Sequence, residues 1–98
     1  MVTIGYYKEI YRNAQESLLD HMSNTPHPHK DELLAYLNNF DACAAMPMIA
    51  TDAVDEKTII GTPCEYNDGK FRWRSQIVYY FKKYNVELPQ EFIDAVIQ

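Results

Sequence analysis

Tyr66-Asn67-Asp68-Gly69-Lys70-Phe71-Arg72-Trp73 is the stretch that decides the fold. Tight hairpin turns need positive φ, and Asn-Asp-Gly tolerates it, so the segment predicts two antiparallel strands joined by a turn. Beyond the turn, Phe71 and Trp73 fall on one strand face and Lys70, Arg72 and Arg74 on the other. Ser75 comes next as a natural N-cap. Ile77, Tyr80, Phe81 and Tyr84 then recur at helical spacing and predict a helix over residues 76–84, with Tyr79, Lys82 and Lys83 elsewhere on its surface. Lys82 and Lys83 suit its last turn, where cations favour the helix dipole. Pro89 is placed at the first position of a final helix. Leu88 and Phe92 can pack across that start as a hydrophobic staple.

Upstream of the hairpin the pattern is helical first and irregular later. Tyr7, Ile10, Tyr11, Ala14, Leu18 and Met22 recur at three- and four-residue steps, which predicts an amphipathic helix over residues 5–22. Ser23-Asn24-Thr25-Pro26-His27-Pro28 ends it, because proline cannot continue the hydrogen-bond ladder. A second helix is expected from His29 or Lys30, with Leu33, Leu34, Leu37 and Phe40 as its buried stripe, running as far as Ala45 and ending before Pro47. Met46-Pro47-Met48-Ile49-Ala50 fits either a short edge strand or an irregular segment. Residues 51–56 read as an acidic turn and residues 57–61 as a strand. Pro63 limits the next residues to an edge position. The fold class expected is α+β: two N-terminal helices, a small antiparallel hairpin or three-stranded sheet, and two short C-terminal helices.

At 98 residues the chain is expected to form one domain, residues 1–98, with a core that needs no staples. The 47% hydrophobic fraction fits a folded globule. Eight tyrosines stand against one tryptophan, and tyrosine is a residue of half-buried cores and of interfaces alike. A net charge of −5 disfavours binding to phosphate backbones and favours basic protein partners. Cys43 and Cys64 have neither CxxC nor zinc-type spacing, which suits a reducing compartment, and a disulfide between them stays open. The N-terminal residues lack a basic start leading into an apolar stretch, and no run approaches a membrane span. A cytoplasmic protein with no membrane partner is the expectation.

Few residues carry recognisable chemistry. His27 and His29 alternate along a proline-rich segment, but a metal site needs three or four convergent ligands, so no metal is expected. Asp52, Asp55 and Glu56 lack the calcium-loop register and read as a solvated turn or as a docking patch for a basic partner. Lys70, Arg72 and Arg74 form a short basic stripe, expected to meet that acidic turn rather than nucleic acid. No phosphate loop, nucleophile elbow or HExxH motif is present, so neither catalysis nor a cofactor is expected.

The tail resembles that of a group of small bacterial proteins whose last third reads Asp-Gly, an aromatic, one residue, Trp, then paired Tyr, a further Tyr, and Leu-Pro-x-x-Phe. Here those positions are Asp68-Gly69, Phe71, Trp73, Tyr79-Tyr80, Tyr84 and Leu88-Pro89-Gln90-Glu91-Phe92, covering residues 66–94. The chain departs from that pattern at Arg74, where proline or a polar cap is usual. Proteins of this look often occur as immunity partners in toxin–immunity systems, including contact-dependent growth inhibition. The resemblance implies a non-enzymatic protein that neutralises a cognate toxin domain, a basic nuclease, by blocking its active site or an exosite. The contact acids expected are Asp52, Asp55, Glu56, Glu65 and Asp68, and the anchors are Tyr66 and Tyr79, since tyrosine is favoured at hot spots. The alternative is a non-enzymatic adaptor or homodimer whose tyrosines pair across a two-fold axis.

Overall fold

A computed structural model describes residues 1–98. Strand β5 (Cys64–Asn67) and strand β6 (Phe71–Arg74) form the expected hairpin, with Tyr66 opposite Trp73 and Glu65 opposite Arg74. The turn is held by its own side chains. Asp68 Oδ1 accepts the amides of Lys70 (2.9 Å) and Phe71 (2.7 Å), and Asn67 Oδ1 accepts that of Gly69 (3.1 Å). Gly69 has φ +97°, the conformation the sequence required of it.

This hairpin is the centre of a mixed sheet rather than its edge. Strand β1 (Val2–Thr3) joins β6 in parallel and strand β2 (Ala44–Ala45) joins β5 antiparallel, giving the order β1-β6-β5-β2. Pro63 did not confine β5 to an edge, because it precedes the strand and removes no donor from it. A separate ribbon pairs β3 (Ala50–Thr51) with β4 (Ile59–Gly61).

Three helices complete the α+β architecture: α1 (Lys30–Leu37), α2 (Ser75–Tyr84) and α3 (Gln90–Ile97). Helix α1 stops at Leu37, well short of Ala45. Asn38 and Asn39 close its last turn, Phe40 swings onto Trp73 (ring centroids 5.5 Å), and the amides of Cys43 and Met46 bond to β5-side carbonyls instead. Ser75 does not serve as a cap. Its hydroxyl accepts the Cys64 amide (3.0 Å) across the hairpin, and extended Arg74 occupies the N-cap position. Asn85 ends α2 in the left-handed conformation. Pro89 sits one place earlier than expected, at the N-cap of α3, with Leu88 and Phe92 both buried beside it.

The larger correction concerns residues 5–22, which form no α-helix. Tyr7, Ile10, Tyr11, Ala14 and Leu18 are buried, but on successive turns that end in a 3-10 turn, Leu18–His21, and Met22 of the same expected stripe is exposed. The backbone finds better partners than its own ladder. Ile10 O, which a helix would give to Ala14, accepts from Arg74 Nη1 (2.8 Å). Lys8 N–H donates to Glu16 O (2.7 Å), and the Glu9 carboxylate accepts from Ser17 Oγ and the Leu18 amide, so the loop closes on itself. Arg74 also lies over the Tyr11 ring, 4.2 Å from its centroid. Thus Arg74 tethers this loop, while Arg72 donates to Thr3 Oγ1; neither meets the acidic turn.

One core joins these parts. Trp73 is fully buried, and the rings of Tyr36, Phe40, Tyr66 and Phe92 surround it. Gly5 has φ +71°, and a Cβ there would lie 2.4 Å from Ile77 Cγ1. Gly5→Ala is therefore expected to destabilise the chain by about 1–3 kcal/mol, the scale of overpacking in a filled core. Gly69→Ala meets open space and only an unfavourable φ, so urea unfolding should show the lower midpoint for the Gly5 variant.

Candidate functional site

The segment read as an acidic turn is built around a buried carboxylate. Asp52 has no exposed surface. Its Oδ2 accepts the hydroxyls of Tyr79 and Tyr84, each at 2.6 Å, and its Oδ1 accepts the amides of Val54 (2.7 Å) and Asp55 (3.2 Å). Lys83 Nζ lies 3.6 Å from the same Oδ2 and 3.1 Å from the Tyr79 hydroxyl. Burial by itself would raise the Asp52 pKa, but these donors outweigh it and hold the carboxyl below its usual range. Tyr79 and Lys83 are four apart and Tyr84 is the next residue, so the C-terminal half of α2 presents all three groups to the loop.

The rest of the loop is equally fixed. Ala53 N–H donates to Tyr80 Oη (2.9 Å). Asp55 accepts the amides of Lys57 and Thr58 and the Thr58 hydroxyl; these bonds, Thr58's first, hold its carboxyl well below the usual range. Glu56 adopts φ +59° and donates its amide to Asp52 O. Hence the loop between β3 and β4 is tied to α2 through Asp52 and Ala53. Ile59 at the start of β4 is 69% exposed, and Met48 and Ile49, just before β3, are 56% and 63% exposed.

Next to the ribbon runs a groove of about 390 Å³ between the end of α1, β4–β5 and α2. Phe40, Ile60, Tyr66, Val78 and Tyr79 supply its apolar and aromatic walls, and Lys82 stands at its rim. Tyr66 is stacked on Trp73, with centroids 6.3 Å apart and planes 17° apart, so its ring is braced from behind.

The residues singled out from sequence divide among several places. Tyr66 and Tyr79 meet in the groove. Asp55 and Glu56 are exposed on the neighbouring loop. Asp52 is enclosed and offers no partner any surface; the local sequence hid this because its two tyrosine donors lie 27 and 32 residues away. Asp68 holds the hairpin turn and accepts the Tyr36 hydroxyl (2.6 Å). Glu65 alternates with Tyr66 and so belongs to the other sheet face, opposite Arg74. Sequence reasoning missed Ile60, Val78 and the exposed Met48, Ile49 and Ile59; the exposed Ile59 beside Ile60 was the available signal.

His27 and His29 are engaged locally. His27 Nδ1 accepts the His29 amide (3.0 Å), and His29 Nδ1 lies 3.0 Å from Glu32. No three His, Cys, Asp or Glu side chains converge as a metal site would require. Both cysteines are free thiols, Cys43 exposed and Cys64 half-buried. No helix is long and apolar enough to cross a membrane. Compared with protein-family models, curated proteins and solved structures, the chain gives no match.

The shifted groups make stability depend on pH at both ends of the scale. Asp52, Asp55 and Asp68 all have lowered pKa values in the fold, so the unfolded chain takes up protons first. Their stabilisation is complete above the unfolded carboxylate value and is lost as pH falls below about 4. Asp52→Asn should cost about 2 kcal/mol at pH 7, leaving buried donors poorly matched, and should flatten that acid limb; urea unfolding across pH checks both. At the other end, Tyr84 is pushed up to about 12 by its bond to Asp52 and by burial, and Tyr7 to about 12 by burial and then by Glu87. The fold should therefore lose stability from about pH 10 upward, and absorbance at 295 nm should show these phenols ionising late.

Proposed function

We propose that this chain is an immunity-type binding protein: it neutralises a cognate bacterial toxin domain by covering its active site or an exosite. The observation that carries this reading is the tyrosine-lined groove, with Ile59 exposed next to the groove residue Ile60 and Met48 and Ile49 exposed just before β3. Side chains already held in place bind at a lower ordering cost, and tyrosine is enriched at the hot spots of protein interfaces. The resemblance of the tail to small bacterial immunity proteins points the same way, and the −5 charge favours a basic partner. In this reading Tyr66 and Tyr79 are anchors, Asp55 and Glu56 lie at the rim, and the protein acts by binding, without a reaction of its own.

The alternative is a homodimeric adaptor. It would use β2, whose Ala44 and Ala45 are exposed at the sheet's end. Sedimentation of the purified chain separates the two, since a stable dimer without any partner supports the adaptor.

Expression of the adjacent upstream reading frame, alone and with this protein, tests the immunity reading. The neighbour should kill and this chain should rescue. Ile59→Asp should weaken the complex at least tenfold, by about 1.4 kcal/mol or more, because a charge then enters an apolar contact. Its unfolding midpoint should stay within about 0.5 kcal/mol of the parent, because Ile59 is exposed. Rescue and affinity unchanged in this variant would remove the ribbon from the interface.

A further inference from the structure

Residues 47–62 leave the main sheet after β2 and return to it at β5. Their two ends meet at the sheet. Ala45 pairs with Cys64, Met46 N–H donates to Pro63 O (2.8 Å), and Ser75 Oγ accepts the Cys64 amide (3.0 Å). Between these ends lie the β3–β4 ribbon and its loop. Only Ala50 and Asp52 of this segment are buried, while Ala53, Val54 and Ile60 pack in part against the core.

Across residues 49–61, every hydrogen bond or ion pair that leaves the segment goes to α2. The hydroxyls of Tyr79 and Tyr84 and the ammonium of Lys83 reach Asp52, Lys83 also lies 3.7 Å from Asp55 Oδ2, and Tyr80 Oη accepts the Ala53 amide. The other bonds stay inside: Asp52 N–H donates to Thr58 O, Glu56 N–H donates to Asp52 O, and β3 pairs with β4 alone. A segment with few buried apolar groups, pinned at its base and tied at one further place, has the makings of a unit that opens by itself. Gly61 stands at one end with φ +115° and nothing within 4 Å of a Cβ placed there, so the backbone can rotate at this point without meeting a side chain.

We propose that residues 47–62 are a flap that opens as one unit about its base, with Asp52 as the latch. Opening takes Asp52 away from the Tyr79 and Tyr84 hydroxyls. It also carries Ile60 and Thr62, on one wall of the groove, away from Val78, Tyr79 and Lys82 on the other. Tyr79 serves both parts, since its hydroxyl holds the latch and the residue lines the groove. An occupant that needs both walls binds the latched form and holds the flap shut, and loosening the latch weakens that occupant by linkage. The link to a partner rests on the toxin-binding reading of the groove; the flap stands apart from it.

Chemical-exchange saturation transfer on the ¹⁵N-labelled whole chain near neutral pH reads the open population amide by amide. Residues 50–60 are expected to share one minor state, with a common population and rate, in which β5, β6 and α3 take no part. Asp52→Asn should raise that population by about tenfold or more, because buried hydrogen bonds to a charged group are lost. Tyr84→Phe keeps the ring and removes one donor, so it should raise the population by a smaller factor, and it carries the test if Asp52→Asn does not fold. No shared minor state over residues 50–60 in either variant, or one that takes in the β5–β6 amides as well, would overturn the proposal. A shared flap state in a chain that fails to rescue cells from the neighbouring toxin would keep the flap and discard the immunity reading. Rescue by a chain with no flap state would discard the flap alone.

Discussion

The packing of Trp73 against four aromatic rings is the interaction on which the rest of the structure depends. Its indole is fully enclosed by Tyr36, Phe40, Tyr66 and Phe92, which come from α1, the segment after it, β5 and α3. Aromatic pairs of this kind add about 0.5–1.5 kcal/mol each beyond area burial. More important is what they fix. Phe40 and Tyr66 pack on the indole and also line the groove, so the core sets the shape of that groove. The hairpin turn supports the same arrangement from below, because Asp68 both closes the turn and accepts the Tyr36 hydroxyl.

Asp52 plays the corresponding part for the ribbon. A two-stranded ribbon outside the main sheet has little stability of its own. Here a buried carboxylate ties it to α2 through Tyr79 and Tyr84, with Lys83 balancing the charge. A buried ionised group is costly unless its hydrogen bonds are met, and each Asp52 oxygen has two donors. The result is a loop that holds exposed apolar side chains in place. Its acids do different work: Asp52 is architectural, Asp55 fastens its own turn, and Glu56 faces solvent.

The sequence was legible where the instruction is local. Asn67-Asp68-Gly69 demands a turn, the alternation around Trp73 demands a buried strand face, and Pro89 after Leu88 demands a helix start. These signals located the hairpin, α2 and α3 to within a residue. Residues 5–22 misled because successive turns can bury the same three- and four-spaced positions as a helix. In place of a helical ladder, Arg74, 64 residues away, donates to Ile10 O, and Lys8 and Glu9 close the loop on Glu16, Ser17 and Leu18. The parallel β1 and the burial of Asp52 depend on contacts distant in sequence too. For the candidate site, Tyr66 and Tyr79 could be read from their residue type; their meeting in one groove with Phe40 and Ile60 could not.

A toxin domain seated on the groove and ribbon, as proposed, would cover both together. Hydrogen–deuterium exchange can locate the contact, on the chain alone and in complex with a catalytically inactive form of the neighbouring toxin. Slowed exchange at residues 48–51, 59–66 and 78–79, with the β1–β6 edge unaffected, is the expected result. Protection confined to β1 and the outer sheet face around Arg72, with the ribbon and groove exchanging as in the free chain, would contradict it.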